Sequence, residues 1–229
     1  MRFQDAARDA RAVVYAGIQA DPLVARVAAL LAEATTAERL LARAVMNGER
    51  TEAEPWRRIF PALFGERAGA GAGEELGRHA ELLLAASLEV ANRGEAARSQ
   101  YRGAVVEELT ARLLAGRAAP GAPVRRERRV LFDGVPAEIH PYDVTVESTS
   151  RPEVYDCKWG ARGINADVLN QLDDARTHGA DEEIDIRVAL VVFDSRRSCE
   201  LRLDRSTASR EKTRLVALES LDELKGLRP

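Results

Sequence analysis

Three residues near the middle of the chain have the side-chain types and the spacing needed for metal-assisted chemistry. Asp143 lies in segment 142–147, and Asp156 and Lys158 lie in segment 154–159. Both segments alternate in polarity with a period of two, which predicts β-strands. Asp156 and Lys158 would then share one face of the second strand.

The sequence Ser-Thr-Ser-Arg-Pro at residues 148–152 joins the two segments and is typical of a turn, which predicts an antiparallel hairpin. A loop of 149–150 or of 148–151 puts Asp143 directly across from Asp156, with Cβ atoms ~5 Å apart. An odd-numbered loop would place Asp143 across from Cys157 instead. Like charges directly opposite each other destabilise a sheet, so the pair predicts a cation between them, and a divalent metal fits.

This arrangement resembles the signature of the PD-(D/E)XK, or restriction-endonuclease-like, nuclease superfamily. The family has an aspartate near the start of one strand and a (D/E)xK triplet on the next. Asp143 matches the first, and Asp156-Cys157-Lys158 matches the second, with Asp in place of the commoner Glu.

The flanking segments extend the resemblance over roughly residues 100–194. Gly103 and Glu107 in segment 101–109 are similar to the Gly-x-x-x-Glu element of the family's first helix. Gln171 follows the hairpin, at a place where many members carry a helical glutamine. The resemblance implies an α+β fold with an αβββαβ core, in which helices flank a mixed central sheet.

The resemblance also implies a metal site for Mg²⁺ or Mn²⁺, the ions that hard oxygen ligands select. Its expected ligands are Asp143, Asp156, Glu107 and the main-chain carbonyl of Cys157. Lys158 would orient the attacking water and stabilise negative charge, and Gln171 would join the catalytic residues.

Ordinary structural roles compete with several of these assignments. A helix glutamate is usually a solvated surface charge, and Glu108 is the alternative to Glu107. Gln171 is equally well explained as a polar surface residue, and Asn165 is a second candidate to face the site. His140, three residues before Asp143, is more often structural in such a position.

Residues 1–95 are predicted to form a helical accessory domain, and residues 96–229 are predicted to form the nuclease-like domain. Asp21-Pro22 has the residue types of a helix start, and Asn47-Gly48 those of a helix end. This region fits dimerisation, substrate grip or a partner protein, and equally a packing cap on the sheet.

The predicted nuclease-like domain contains further elements. Segment 124–132 predicts the first strand, and its four arginines suit either phosphate contacts or a charge-guarded edge strand. Segment 165–178 predicts a helix that ends at Gly179. Segment 184–193 predicts a central strand, with 198–203 as a strand beside it, then a last strand at 214–218 and a helical turn at 221–227.

Composition excludes several classes of protein. The chain is 45% hydrophobic and 31% charged, with a net charge of −3, which is ordinary for a soluble domain and argues against a protein that coats nucleic acid. No apolar run approaches the ~20 residues of a membrane span. Two cysteines make neither a disulfide framework nor a zinc site, which favours the cytoplasm.

The sequence therefore predicts a metal-dependent endonuclease, acting on DNA, with restriction, repair or defence against foreign DNA as candidate settings. A catalytically inactive binding or assembly module of the same fold is one alternative, and an RNA-directed nuclease is another. A third is an unrelated α+β domain in which Asp156 and Lys158 form a surface ion pair. The expected partners are nucleic acid and a second copy or another protein at the N-terminal helices, without a membrane.

Overall fold

The computed structural model of the chain describes residues 1–6, 10–64, 72–136, 140–205 and 213–226. The chain divides into two compact units. A helical unit comprises Arg11–Leu109, and a sheet unit comprises Met1–Ala10 together with Thr110–Pro229. The division falls inside a helix, whereas the sequence predicts a boundary at residue 95.

The helical unit is built from helices of different lengths, and side-chain caps set the starts of α2 and α3. In chain order the helices are α1 (Ala10–Gln19), α2 (Pro22–Glu33), α3 (Thr36–Asn47), α4 (Ala53–Ile59), α5 (Pro61–Phe64), α6 (Ala72–Ala91) and α7 (Glu95–Ala115), the last of which continues into the sheet unit. Asp21 caps α2 by accepting the N–H of Leu23 at 2.8 Å, which confirms the predicted start. Thr35 and Glu38 form a capping box at α3.

The core of the helical unit joins α3, α4, α5 and α6. The residues that pack together there are Leu41, Val45, Trp56, Leu63, Ala80, Leu84, Leu88 and Ala91. Gly48 ends α3, as predicted, and a Cβ on it would lie 2.6 Å from the Trp56 ring. The close approach of Trp56 therefore favours glycine at this position.

A seven-stranded mixed sheet forms the second unit. Its strands are β1 (Arg2–Asp5), β2 (Val124–Phe132), β3 (Val135–Pro136), β4 (Tyr142–Val146), β5 (Glu153–Lys158), β6 (Arg187–Val192) and β7 (Arg214–Ala217). They are ordered β1-β2-β4-β5-β6-β7, and β3 pairs with β2. β4 and β5 are antiparallel, whereas β5–β6 and β6–β7 are parallel pairs.

The predicted hairpin is present, with the predicted even parity. Val144 pairs with Tyr155, Thr145 with Val154, and Val146 with Glu153. Continuing this register by one residue places Asp143 across from Asp156. The connection between the paired strands covers residues 147–152, which is longer than either loop considered from sequence.

Two helices cover one face of the sheet. They are α8 (Ala166–Asp181) and α9 (Arg196–Leu203), and they pack on Val154, Leu190 and Val192. A 3₁₀ segment, Leu218–Lys225, follows β7. The strand at β7 and the final helical turn were both predicted.

Three sequence-based predictions in this part of the chain are wrong. Segment 198–203 is helical, because Ser195 caps α9 by accepting the N–H of Ser198 at 3.2 Å and the helix buries Cys199 and Leu203. Residues 2–5 form a strand of the sheet, although they fall within the predicted helical region 1–95, because they pair with β2. α8 runs through Gly179, whose missing Cβ admits Ile186.

The arginine-rich strand β2 is not an edge strand. It pairs with β1 on one side and with β4 on the other. The pairing with β1 covers Arg128–Leu131, so the edge-guarding explanation is wrong for Arg128 and Arg129. Among the described residues no single helix is long and apolar enough to cross a membrane, while Ala12–Gln19 and Pro22–Glu33 pass that test only as a pair bent by 56°.

Candidate active site

The sheet brings the carboxylates of Asp143 and Asp156 together around the ammonium group of Lys158. Lys158 Nζ lies 3.7 Å from Asp143 Oδ2 and also forms an ion pair with Asp156 Oδ1. Because one nitrogen contacts both carboxylates, the two aspartates share a small region at the end of the hairpin. Two neighbouring strands thus present two negative charges and one positive charge at the same place.

Asp143 also takes part in holding the two strands together. The backbone N–H of Cys157 donates to Asp143 Oδ2 at 2.6 Å. The backbone pairing of β4 with β5 stops at Val144, so this side chain continues the link between the strands where the backbone ladder ends. Asp143 is consequently oriented by β5 as well as by its own strand.

Asp156 is the most deeply buried member of the cluster. The residue is 5% exposed. Burial, reinforced by the negative charge of Asp143, raises the pKa of Asp156 to about 7, although Lys158 opposes this shift. The carboxyl therefore needs a compensating cation in order to ionise fully at neutral pH.

Lys158 keeps its charge in this environment. Burial alone would lower the pKa of the Lys158 ammonium, but the carboxylates of Asp143 and Asp156 outweigh that effect and hold the pKa above its ordinary value. The side chain is 26% exposed, so its ammonium retains a path to solvent. A charged lysine at this position can stabilise negative charge on a bound group.

The donor set fits a hard divalent cation. Asp156 Oδ1 is buried, and its partner among the described residues is the ammonium of Lys158. Carboxylate oxygens are the ligands that Mg²⁺ and Mn²⁺ prefer. The observation that supports such an ion here is a pair of neighbouring carboxylates, one of them buried, that share the single positive charge of Lys158.

Cys157 contributes its main chain rather than its thiol. The thiol is buried, and its Sγ lies 3.5 Å from Thr110 Oγ1. The N–H of Cys157 faces Asp143, and in an extended strand the carbonyl of a residue points to the same side as its N–H. The carbonyl proposed as a metal ligand thus also faces β4.

Glu107 lies in the helical unit and is held by two neighbours from α1. Tyr15 Oη donates to Glu107 Oε1 at 2.5 Å, and Gln19 Nε2 donates to Oε2 at 2.7 Å. The Tyr15 hydroxyl occupies the space beside Gly103, where a Cβ would lie only 2.9 Å from it. The Gly-x-x-x-Glu spacing thus admits a hydroxyl that orients the carboxylate. Glu108, the alternative, is half-buried one position further round the helix.

The polar residues near α8 have structural contacts. Gln171 Nε2 donates to the His140 carbonyl at 3.1 Å. Asn165 is the N-cap of α8 and accepts the N–H of Val168 at 3.0 Å, which accounts for its side chain locally. His140 itself is exposed. A catalytic role for Gln171 stays a prediction.

Glu127 was not singled out from the sequence, although it lies opposite Asp143. It falls between Arg126, which pairs with Val144, and Arg128, which pairs with Tyr142. A Glu127 carboxylate oxygen lies within 4.8 Å of one of Asp143. Its φ of 54° is unusual for a non-glycine residue inside a strand. A single acidic residue within an arginine-rich strand was the available signal.

Arg128 of β2 is engaged within the protein. Its Nε donates to Glu147 Oε1 at 2.6 Å, and it also pairs with Asp5. This arginine therefore links β2 to β1 and to the residue that follows β4, and a structural role accounts for it.

Comparisons with known proteins give no family. No protein-family model and no curated protein matches the sequence. The crystal structure of protein VC1899 from Vibrio cholerae is similar to this chain, with 18% sequence identity and a TM-score of 0.43. The match covers 90% of this chain and 55% of that one, so the chain spans about half the length of that protein. At this TM-score the likeness identifies neither a fold family nor a function.

Proposed function

We propose that the protein is a metal-dependent endonuclease that hydrolyses phosphodiester bonds in DNA. The observation that carries the proposal is the contact of one lysine ammonium with two aspartates on adjacent antiparallel strands. One of these carboxylates, that of Asp156, is buried. Phosphodiester hydrolysis needs a cation, an oriented water and compensation for developing negative charge, and these groups can supply all three.

The order of elements supports a restriction-endonuclease-like core as part of the proposal. Helix α7 precedes strands β2, β4 and β5, and α8 and β6 follow them. This is the αβββαβ order, with the two-residue strand β3 inserted. The combination of an antiparallel β4–β5 pair with a parallel β5–β6 pair also agrees with a mixed central sheet.

The metal would be held by oxygen atoms of Asp143, Asp156 and the Cys157 carbonyl. Glu107 is the further ligand that the resemblance implies. A bound Mg²⁺ or Mn²⁺ polarises a phosphate and lowers the pKa of a water ligand. Asp156 would orient and ionise as the cation offsets its burial, while Asp143 stays anchored by the N–H of Cys157.

Lys158 would act on the substrate rather than on the metal. An ammonium cannot ligate a cation, and its charge is maintained by the two carboxylates. In this role Lys158 Nζ donates hydrogen bonds to the attacking water and to the phosphate oxygen on which negative charge develops.

An exposed arginine that closely follows Lys158 in the chain supports an anionic substrate. Arg162 lies on the 3₁₀ turn Ala161–Gly163, shortly after Lys158, and its side chain is exposed. It forms no ion pair or hydrogen bond with the rest of the described chain. Its guanidinium is thus available for a phosphate, which it can contact in bidentate fashion.

One observation favours the second candidate, an inactive binding or assembly module. Asp143 already accepts a backbone N–H, and Lys158 already neutralises part of the cluster. The three side chains therefore have a structural use without any ion. Cleavage distinguishes this candidate from the nuclease.

The test is incubation of the purified protein with plasmid, linear duplex, single-stranded DNA and RNA, each with Mg²⁺, Mn²⁺ or EDTA. We expect metal-dependent cleavage of DNA that EDTA abolishes. Preferential cleavage of RNA would replace the DNA assignment, and no cleavage of any substrate would contradict the nuclease proposal.

Lys158→Ala supplies the inactive variant for this assay. We expect a loss of at least about 100-fold in rate, because the charge that stabilises the transition state is removed. Lys225→Ala, in the C-terminal 3₁₀ segment, is the matched control and should cleave at the wild-type rate. Melting temperatures of both variants verify that they are folded.

A further inference from the structure

A short turn follows Lys158 and folds back onto its side chain. The turn comprises residues 160–163, in which Ala161–Gly163 form a 3₁₀ helix and the N–H of Gly163 donates to the Gly160 carbonyl at 2.9 Å. The turn begins only two residues after the lysine. Its path therefore determines how much room the lysine side chain has.

Gly163 lies directly against the aliphatic stem of Lys158. A Cβ added at Gly163 would lie 3.0 Å from Cδ of Lys158 and 3.1 Å from both Cβ and Cγ. Such separations are shorter than normal van der Waals contacts. The atoms concerned include those nearest the backbone, which cannot swing away as the end of a flexible chain can. Glycine at this position thus lets the turn pack closely on the stem.

Asp194 holds the turn in place. This buried residue follows β6, and its Oδ2 accepts the N–H of Ala161 at 3.0 Å while its Oδ1 accepts the N–H of Ser195 at 2.8 Å. It is 7% exposed. Its backbone carbonyl accepts the N–H of Leu218 at 3.0 Å. One carboxylate therefore ties the loop after β5 to the loop after β6.

The strand ends are joined at the same point. The N–H of Phe193 donates to the Lys158 carbonyl at 2.8 Å, and the rings of Trp159 and Phe193 lie 4.9 Å apart. The backbone of Lys158 is thereby fixed to β6, while its side chain is confined by Gly163.

We propose that Gly163 and Asp194 are positioning residues for Lys158, which together hold its stem so that the ammonium stays between Asp143 and Asp156. The inference rests on the proposed function, because it assigns the lysine the role described above. Lysine has a flexible four-carbon stem, so confining the stem restricts the positions that the ammonium can occupy. A misplacement of about 1 Å is enough to cost on the order of 100-fold in rate.

The variants Gly163→Ala and Asp194→Asn test the proposal. Alanine at 163 would crowd the Lys158 stem at 3.0–3.1 Å, so either the stem or the turn must shift. Asparagine at 194 leaves one of the two backbone N–H groups without its acceptor. For both we expect kcat to fall by about 10- to 100-fold with KM within about threefold of wild type. Mn²⁺ affinity measured by calorimetry should be unchanged.

Gly116→Ala is the matched control, because a Cβ there meets only Leu113 O at an ordinary 3.5 Å. It should keep wild-type kcat and KM. Equal loss of kcat in Gly163→Ala and Gly116→Ala would overturn the proposal, as would a loss explained by a lowered melting temperature.

A crystal structure of Gly163→Ala decides the positioning role independently of cleavage. We expect the Lys158 ammonium to be displaced from Asp143 and Asp156. An ammonium that stays in place overturns the inference even if the wild type is an active nuclease. A wild type that cleaves nothing contradicts the proposed function, while the displacement still shows whether Gly163 positions the lysine.

Discussion

At the scale of single residues, Asp156 shows how burial and function oppose each other. A buried carboxylate beside a second one is costly when ionised, and burial together with Asp143 raises its pKa to about 7 from an ordinary value of 3.8. The closeness of the two carboxylates makes Asp143 and Asp156 repel each other, and the same closeness lets both of them bind one cation. The residue should therefore reduce stability until an ion is bound.

This conflict predicts a pH dependence of stability in the metal-free protein. Between about pH 4 and about pH 7 the folded protein holds a proton on Asp156 that the unfolded chain releases. This contribution is fully present below that window and is lost as the pH rises through about 7. Asp156→Asn resembles the protonated form at every pH, so its melting temperature should exceed that of the wild type at pH 8 and approach it at pH 5.

Thermal scans of both proteins in EDTA at pH 5, 6, 7 and 8 measure this difference. The expected gap at pH 8 is several degrees, since a shift of one pKa unit is about 1.4 kcal/mol and each kcal/mol moves the midpoint by about 2–4 °C. A gap that does not change with pH would mean that Asp156 does not titrate in this range.

At the scale of elements, a buried ion pair joins the end of α7 to β5. Arg117 donates to Glu153 Oε1 at 3.0 Å, to the Tyr155 hydroxyl at 2.9 Å and to the Leu224 carbonyl at 2.8 Å. Burial alone would raise the pKa of Glu153, but the hydrogen bonds from Arg117 and Tyr155 outweigh it and hold the pKa below its ordinary value. The pair thus anchors the strand that carries Asp156.

Breaking this pair should be costly. Arg117→Gln leaves the Glu153 carboxylate, whose side chain is 6% exposed, without its main partner, and we expect a loss of about 3–5 kcal/mol. Arg151→Gln is the matched control, because Arg151 and Asp185 are 57% and 68% exposed and such pairs contribute about 1 kcal/mol or less. Urea unfolding of the three proteins compares them, and equal losses in the two variants would contradict the prediction.

Strand β2 contains local strain at Glu127. Its φ is 54°, while Arg125, two residues earlier on the strand, keeps a negative φ. Glu127→Gly should relieve about 1 kcal/mol of strain and leave the melting temperature equal or higher, whereas Arg125→Gly should lower it. Glu127→Gln removes the charge opposite Asp143 but keeps the strain. If it stabilises as much as Glu127→Gly, repulsion rather than strain is the cause.

At the scale of the whole molecule, ion binding should be visible in global stability. An ion that binds only the folded protein stabilises it by about 2.7 kcal/mol at a hundredfold excess over Kd. Saturating Mn²⁺ should therefore raise the melting temperature of the wild type by several degrees. The shift should shrink sharply in Asp156→Asn and persist in Asp185→Asn, which removes an exposed carboxylate instead.

The same scan tests Glu107, which the resemblance implies as a ligand. Glu107→Gln keeps the shape of the side chain that Tyr15 and Gln19 contact, so it should fold like the wild type. A reduced Mn²⁺ shift in this variant would support the ligand role, and an undiminished shift would remove Glu107 from the site.

For Asp156, equal melting-temperature shifts in the wild type and in Asp156→Asn would mean that the ion binds elsewhere.

The sequence by itself determined the features that depend on neighbouring residues. The period-two alternation of β4 and β5 and the turn residues between them predicted a hairpin whose parity puts Asp143 opposite Asp156, and this parity is confirmed. The start of α2 at Asp21-Pro22 was predictable for the same reason, since a cap bonds to backbone groups only a few residues away.

Only the tertiary structure decided the features that depend on residues distant in the chain. β1 is a strand because β2, more than 120 residues later, supplies its hydrogen-bond partners, as in the pairing of Arg2 with Leu131. In segment 198–203, a strand and a helix would both place Cys199 and Leu203 on the same face, so the sequence pattern does not distinguish them. Packing selects the helix, in which Cys199 and Leu203 are buried and Leu201 is 51% exposed. The ion pair of Arg117 with Glu153 and the positive φ of Glu127 could not be predicted from neighbouring residues, because both depend on burial and pairing that exist only in the folded chain.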